Sequence, residues 1–464
     1  MPPAAPRTGL PAEAPNGGPT APRITPQSRI PVPPPGEAPA APALRQPLRD
    51  RLRALGPGLV TGAADDDPSG IVTYAQAGAA FGYGLGWAVV LTLPFMVAAQ
   101  EIAARIGRVT GQGLVGALRA HAPRPVLIGL VWLLVAANVI NLGADIGGMA
   151  DVARMLIGGP AWLYAGAIAL LCAAAEIWMS YQRYVVLLKW LTLTLLAYVA
   201  LLFVLHLPWP EVVAGVLLPR VALTRDALTM LVGVLGTTIS PYLFIWQAAE
   251  EVEDMLAGAD PRPLREREPG ATQEIGRIGF DTWAGMTYSN MVSLSIIVGT
   301  AATLHAHGVT NIETAAQAAS ALAPIAGRFA ALIFALGILG TGLLAVPVLA
   351  GATAYALGEA SGWPVGLGRR PMQARAFYAV IALATLLGAG IVFSPIDPMQ
   401  ALVFAAVING AVAGPLIVAM VVLGTLPSVM GAFVLPRWLR VLGWGGALLM
   451  VAATAAMVAL WVAA

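Results

Sequence analysis

Eleven mostly apolar stretches, each close to the length that a helix needs to cross a bilayer, follow one another from residue 56 onwards. A membrane-spanning helix takes about 20 such residues. Because 58% of the residues are apolar and only 11% are charged, a set of soluble domains is excluded. We therefore predict an all-α polytopic membrane protein embedded in the lipid bilayer. The predicted spans are 56–81, 86–106, 125–157, 160–180, 184–206, 227–250, 279–305, 327–356, 375–394, 398–425 and 437–463.

The basic residues indicate how these spans are oriented. Lys and Arg accumulate in cytoplasmic loops. With eleven spans and a cytoplasmic N-terminus, 22 of the 26 Lys and Arg residues fall on the cytoplasmic side. Residues 1–48 hold 15 of the 37 prolines and no apolar run, so we predict a disordered cytoplasmic tail before a membrane domain at 49–464. We expect a multi-pass protein of the cell (inner) membrane.

Charge, cysteine usage and motifs exclude several other classes of protein. A formal net charge of +2 leaves no basic surface for nucleic acid. The single cysteine, Cys172, allows neither a disulfide framework nor a cysteine-cluster zinc site. The sequence contains neither HExxH nor GxSxG, which argues against a protease. We predict no enzymatic activity and no cofactor, and we expect a monomer.

The first span is interrupted near its middle by three acidic residues. Asp65, Asp66 and Asp67 stand where a charged side chain costs about 2.5 to 3.5 kcal/mol on insertion scales. Pro68 then removes a backbone donor, and Gly70 tolerates non-helical angles. The pattern predicts two half-helices joined by an unwound turn whose free carbonyls face an aqueous cavity.

The sixth span carries a matching interruption. Thr237, Thr238, Ser240 and Pro241 break its apolar run, and Pro241 follows Pro68 by 173 residues. Interrupted spans at corresponding positions of two halves indicate an inverted-repeat transporter with its binding site between the breaks. We place repeat one at about 50–206, repeat two at about 226–425 and an extra helix at about 437–463.

The two breaks would bring together oxygen atoms only. Asp67 offers a carboxylate, Ala64 and Thr237 offer unwound carbonyls, and Ser240 offers a hydroxyl. Hard oxygen ligands suit Mg²⁺, Mn²⁺ or Ca²⁺, whereas softer metals favour Cys, Met or His. None of these three residue types occurs in either break.

Other polar residues are candidates for an ion path. Asn138, Asn141 and Asp145 share one face of the third span, where they either line the path or hold the bundle together by hydrogen bonds. Asp65 and Asp66 should matter less than Asp67, because successive helical residues point about 100° apart. The remaining path candidates are Asp65, Asp66, Tyr242 and Gln247.

Charged residues elsewhere in the spans are harder to assign. Glu101 and Arg105 have the spacing of a structural ion pair. The acidic run at 250–254 forms either a cation exit funnel or a solvated charge run, and Glu176 has no partner that the sequence can name.

The two breaks resemble those of the Nramp family of divalent-metal transporters. The matching segments are GPGLVTGAADDDPSG at 56–70 and GTTISPYLFIWQ at 236–247, and the similarity extends over nearly everything after residue 50. The resemblance implies a LeuT-like fold of five plus five helices with an eleventh added. By position, Asp67 matches the family's metal-binding aspartate, and Thr237 matches the residue that donates a backbone carbonyl.

Three departures separate this chain from the family's pattern. Gly70 stands in place of a metal-binding asparagine, Ser240 in place of a methionine sulfur, and Tyr242 in place of a histidine tied to proton handling. These losses look like those of the Nramp-related magnesium transporters, whose larger site holds a partly hydrated ion. Mg²⁺ keeps several waters, so fewer protein ligands suit it. Because a phenol holds its proton at neutral pH, we predict no obligatory proton coupling.

We therefore expect a transporter of divalent cations, Mg²⁺ or Mn²⁺ or both, that works by alternating access around Asp67. Two alternatives stay open. One is a proton-coupled Mn²⁺/Fe²⁺ symporter, for which Asp145 is the candidate acid. The other is a sodium-coupled carrier of an organic solute with the same fold, which the three successive aspartates disfavour for anionic substrates.

Overall fold

The computed structural model describes residues 56–179, 181–205, 207–219, 224–258, 260–267, 271–312, 314–394 and 398–462. The predicted tail at 1–48 lies outside the described residues. Within them, the long regular elements are all α-helices. The helices are α1 (Pro57–Asp65), α2 (Pro68–Phe81), α3 (Gly86–Thr110), α4 (Leu114–Arg119), α5 (Arg124–Ile157), α6 (Ala161–Trp178), α7 (Tyr181–Leu191), α8 (Leu196–Val204), α9 (Trp209–Leu217), α10 (Arg225–Thr238), α11 (Pro241–Ala257), α12 (Ala271–Thr303), α13 (Ala315–Ser361), α14 (Arg375–Ile391), α15 (Pro398–Thr425), α16 (Pro427–Met430) and α17 (Arg437–Val462).

Every predicted span coincides with helix in the described residues. The first span is α1 plus α2, the fifth is α7 plus α8, and the sixth is α10 plus α11. The breaks in spans one and six are therefore confirmed. Span five also has a short 3₁₀ turn at Thr192–Leu195 that the sequence did not predict.

Eight stretches of the described residues are long and apolar enough to cross a membrane. One of them, Pro68–Thr110, combines α2 with α3, because only a 3₁₀ turn separates the two helices. Two predicted spans are not among the eight. The α14 helix has only 17 residues, and α12 carries several serine, asparagine and aspartate side chains that are buried in the protein. The crossing of the membrane by α12 and α14 stays a prediction.

The half-helices lie at the centre of the bundle. The α12 helix packs along both α1 and α2, α10 packs against α2, and α11 packs against α1. The α5 helix packs against α13 and α2, while α17 packs on the outside against α15 and α3. Large apolar side chains such as Leu170, Phe203 and Leu448 are exposed on the outer helices, as expected where a protein meets lipid.

The first half-helix is held tightly against α12. A Cβ atom added at Gly62 would lie 2.2 Å from the carbonyl oxygen of Gly285, so only glycine permits this approach. Asp281 of α12 accepts hydrogen bonds from the backbone N–H groups of Gly56, Gly58 and Leu59, at 2.9, 2.8 and 3.2 Å. These are the donors that a helix N-terminus leaves without intrahelical partners, so Asp281 caps α1 from another helix.

The acidic run at the end of α11 also joins helices through ion pairs and hydrogen bonds. Glu251 is buried and pairs with Arg277 of α12 at 2.7 Å, and Arg108 of α3 donates to the Glu251 carbonyl. Glu253 accepts hydrogen bonds from the Tyr355 hydroxyl at 2.8 Å and from a backbone N–H at 3.1 Å. Glu250, Glu251 and Glu253 are therefore not a solvated charge run, because they are buried, whereas Asp254 at the end of the run has a side chain that is 46% exposed. The ion pair of Glu101 with Arg105, at 2.5 Å, is confirmed.

Candidate transport site

The first break is two residues long. The α1 helix ends at Asp65, Asp66 leaves helical geometry at φ −89° and ψ 56°, and Asp67 is extended at φ −67° and ψ 164°. Pro68 then occupies the first position of α2, where its missing N–H is no loss and its fixed φ suits the helix. The break therefore follows directly from the order of residue types.

The second break has the same backbone form. The α10 helix ends at Thr238, Ile239 lies at φ −116° and ψ 71°, Ser240 lies at φ −90° and ψ 124°, and Pro241 begins α11. Each residue of this break thus stands 173 positions after its counterpart, so that Ser240 corresponds to Asp67. The two half-helices that begin with proline are related residue by residue.

The three consecutive aspartates divide between two neighbours. Asp65 accepts a hydrogen bond from the Ser289 hydroxyl at 2.8 Å, and Asp66 accepts one from the Ser293 hydroxyl at 2.7 Å. Both serines lie on α12, so these two carboxylates face that helix. Asp67 instead turns towards its own half-helix, which leaves it as the carboxylate that belongs to the junction of the breaks.

Asp67 is the N-cap of α2. Its Oδ1 accepts hydrogen bonds from the backbone N–H of Gly70 at 2.5 Å and from the Ser69 hydroxyl at 2.7 Å. A Cβ atom at Gly70 would lie 3.0 Å from the same oxygen. Glycine therefore brings a backbone donor close to the carboxylate, and it supplies no side-chain oxygen of its own. Gly70 was predicted as a ligand, and in the structure its backbone N–H donates a hydrogen bond to the Asp67 carboxylate.

The two carbonyls named as candidate ligands were predicted to be unwound, and this is wrong, because Ala64 and Thr237 lie in the last turns of α1 and α10. Both carbonyls also have partners. The Tyr242 hydroxyl donates to the Ala64 carbonyl oxygen at 2.9 Å, and this bond crosses from α11 to α1. The Ser240 hydroxyl donates backwards to the Thr237 carbonyl oxygen at 2.8 Å.

The candidates on α5 divide between two neighbours. Asp145 accepts a hydrogen bond at 2.9 Å from the backbone N–H of Ser69, directly beside Asp67. Asn138 donates to the Thr353 hydroxyl of α13 at 2.9 Å, and Asn141 is buried. Asp145 is fully buried, at 0% exposed, where α5 packs against α2 and α13.

Two further buried groups lie away from the breaks. Both amide atoms of Gln247 and both carboxyl oxygens of Glu176 lack hydrogen-bond partners among the described residues. No bond in the described part of the chain joins either residue to Asp67. Their places on an ion path stay predictions.

Sequence reasoning missed three contributors to the site. Ser289 and Ser293 stand four residues apart within an apolar span, a spacing that puts both on one helix face and could have indicated an inward polar stripe. Tyr74 contacts the Thr238 hydroxyl at 3.2 Å, and no local signal pointed to it. Within the described residues, no three His, Cys, Asp or Glu side chains converge on a common metal position.

The broken helices and the bundle around them define a membrane protein of the LeuT-like inverted-repeat class. Two solved structures share this fold. The manganese transporter of Eremococcus coleocola has a TM-score of 0.69 at 17% identity, over 88% of this chain and 86% of that one. The nucleobase-cation-symport-1 family transporter Mhp1, in a closed conformation, has a TM-score of 0.56 at 15% identity, over 87% of this chain and 92% of that one.

The chain belongs to the Nramp family. The family model for natural resistance-associated macrophage protein-like sequences matches residues 58–460. Among curated relatives, the divalent metal cation transporter MntH of Yersinia pestis (strain Pestoides F) is 31% identical over 309 residues, which are 64% of this chain and 71% of the relative. MntH of Klebsiella pneumoniae (strain 342) is 28% identical over 405 residues, covering 85% and 91% of the two chains. The resemblance seen in the sequence is thereby confirmed at the level of the family.

Proposed function

We propose that this protein transports divalent metal cations, Mg²⁺ or Mn²⁺ or both, by alternating access around Asp67 and the two helix breaks. It is a carrier of ions and not an enzyme. Family membership supports this proposal, as do the curated relatives, which are named divalent metal cation transporters, and the solved manganese transporter of the same fold.

The observation that carries the proposal is the position of Asp67. It is the one ionisable ligand in a junction whose other candidate ligands are neutral oxygens, those of Ala64, Thr237 and Ser240. A divalent cation that loses water needs at least one anionic ligand in a buried site. Such a donor set, without sulfur or imidazole, suits hard cations.

Burial of the junction supports alternating access. Asp67 is 5% exposed and Ser240 is 4% exposed, so an ion reaches them only after helices separate on one side. The breaks allow this separation, because each half-helix can move about an unwound joint.

Uptake without obligatory proton entry is the second part of the proposal. The group after Pro241 is the Tyr242 hydroxyl, which donates to a carbonyl and holds its proton at neutral pH. One observation favours the alternative of proton symport. Asp145 is fully buried, leaves its Oδ2 without a partner among the described residues, and contacts the backbone next to Asp67.

Flux measurements in proteoliposomes test the transport proposal. Purified protein should carry Mg²⁺ and Mn²⁺ into vesicles, and Asp67→Asn should abolish both fluxes because an amide cannot balance the charge of the ion. Asp226→Asn is the matched control, because Asp226 is an exposed residue in the first turn of α10. Normal uptake by well-folded Asp67→Asn would refute the assignment.

A pH-sensitive dye inside the same vesicles tests the coupling. With the membrane potential clamped, an inward metal gradient should leave the internal pH unchanged. Metal-dependent acidification that is lost in Asp145→Asn would replace the uncoupled mechanism with proton symport.

A further inference from the structure

The Ala64 carbonyl occupies a special place in the fold. It lies in the last turn of α1, where a helix leaves carbonyl oxygens without intrahelical partners. The Tyr242 hydroxyl supplies that partner at 2.9 Å, although the two residues are 178 positions apart. Tyr242 is 1% exposed and is the second residue of α11, so the bond joins the two half-helices across the junction.

This bond limits what an incoming cation can do. A backbone carbonyl has two lone pairs, so an ion that uses the Ala64 carbonyl directly either displaces the phenol hydroxyl or shares the oxygen with it, and a shared oxygen is a weaker ligand. An ion that keeps its water can instead meet the carbonyl and the hydroxyl through that water. Mg²⁺ dehydrates reluctantly, whereas larger cations accept direct protein ligands in flexible geometry.

We propose that Tyr242 is a specificity-determining residue. Its hydroxyl occupies one lone pair of the Ala64 carbonyl and weakens it as a direct ligand, so that the junction favours a cation that keeps part of its water. This inference rests on the proposed function, because it names the group that sets ion preference at the same site. It also gives a physical role to the position where the family pattern has a histidine.

The Ser240 hydroxyl provides a useful contrast. It donates to the Thr237 carbonyl, but both atoms belong to the same break, within three residues of each other. Movement of α11 relative to α1 would leave that bond intact. The bond from Tyr242 crosses between elements, so it is the one that a movement of α11 relative to α1 must break.

The test is the pair of substitutions Tyr242→Phe and Tyr198→Phe. Each removes one buried phenol hydroxyl that donates to a backbone carbonyl, and each keeps the ring. Tyr242 donates to Ala64 beside the first break, whereas Tyr198 of α8 donates to Phe334 of α13. Calorimetric titration of the full-length protein in detergent gives Kd values for Mn²⁺ and Mg²⁺. Electron spin echo measurements in D₂O count the water molecules on bound Mn²⁺.

Tyr242→Phe should tighten Mn²⁺ binding about fivefold, the factor that corresponds to one net hydrogen bond, with little change for Mg²⁺. Bound Mn²⁺ should lose one water, because the freed carbonyl takes its place. Tyr198→Phe should change neither the ratio of the two Kd values nor the water count.

Three results would overturn the role of Tyr242: an unchanged ratio, a changed ratio with the same number of waters, or equal effects of the two substitutions. Failure of the wild-type protein to bind either metal in an Asp67-dependent way would instead refute the proposed function. The two failures are therefore distinguishable.

Discussion

The two helix breaks share a backbone and differ in what their side chains do. In each, two non-helical residues precede a proline that starts the next half-helix. At the first break Asp67 turns forward and caps α2 through the Gly70 N–H. At the second break the corresponding Ser240 turns backward and donates to carbonyls of its own preceding turn, those of Gly236 and Thr237.

This difference separates two requirements of the site. Proline and its two predecessors create the joint, and they do so equally well with charged or neutral side chains. A single residue in each joint then determines the chemistry. Of the two corresponding residues, Asp67 carries a carboxylate and Ser240 a neutral hydroxyl, so the two breaks differ in charge although they share a backbone form.

Moving the carboxylate from the first break to the second tests this difference. Of the substitutions at the two breaks, it should have the largest effect on metal flux. The double variant Asp67→Asn/Ser240→Asp keeps the number of charges. A carboxylate at position 240 would face the carbonyl oxygens of Gly236 and Thr237, which now accept from the Ser240 hydroxyl at 3.2 and 2.8 Å. Oxygen atoms that accept hydrogen bonds repel a carboxylate, so proteoliposome flux should stay at background. Flux above that of Asp67→Asn alone would show that the breaks are interchangeable.

Changing the ligand at the second break should shift selectivity without removing transport. Ser240→Met adds a thioether, which favours Cd²⁺ over Mg²⁺ by about tenfold, or roughly 1.4 kcal/mol. Competition of Cd²⁺ and Mg²⁺ against Mn²⁺ uptake measures the shift. Wild-type protein that already prefers Cd²⁺ strongly would contradict this expectation.

Gly70→Asn sharpens the same experiment. An added Cβ would stand 3.0 Å from Asp67 Oδ1. The amide therefore gains a role in binding only if Asp67 leaves its capping position. We expect Ser240→Met alone to account for most of the shift, and a larger gain from adding Gly70→Asn would show that Asp67 reorients.

The smallest effect should come from the prolines. Pro68→Ala and Pro241→Ala each restore a backbone N–H and should lower the free energy of unfolding by about 0.4 to 1 kcal/mol. The loss should be greater at 241, because Ser240 makes no side-chain cap whereas Asp67 caps α2. Thermal unfolding in detergent, with hydrogen exchange at the new amide, compares the two. Equal losses would mean that the Asp67 cap does not help to hold its break.

Local patterns in the sequence predicted much of this architecture. Apolar stretches separated by short polar segments predicted helices that the structure contains, because length and hydropathy alone decide where a helix suits a bilayer. The helix breaks could also be predicted from the sequence, because Asp-Pro and Ser-Pro within apolar runs interrupt the helix at their immediate neighbours. The eleven-span count and the orientation of the N-terminus stay predictions that depend on these patterns.

Local sequence patterns did not predict the contacts between residues that are distant in the chain. Asp281 caps α1 although more than 220 residues separate the two in sequence. The hydroxyls of Ser289 and Ser293 donate hydrogen bonds to Asp65 and Asp66, and the Tyr242 hydroxyl donates to the Ala64 carbonyl. Asp145 is fully buried, and no local pattern in the sequence predicts that burial. A polar residue in an apolar span needs a hydrogen-bond partner. Which residue becomes that partner depends on the helix that packs alongside.

The sequence by itself determined that this chain forms two broken helices and that three consecutive aspartates lie at the first break. Neighbouring residues decide where a helix forms and where it is interrupted. Only the tertiary structure decided where the Asp65 and Asp66 carboxylates turn and which hydroxyls hold the carbonyls around the junction. The physical reason is that hydrogen bonds in a buried site join whatever groups the packing of α1, α11 and α12 brings within about 3 Å. No local pattern encodes that proximity.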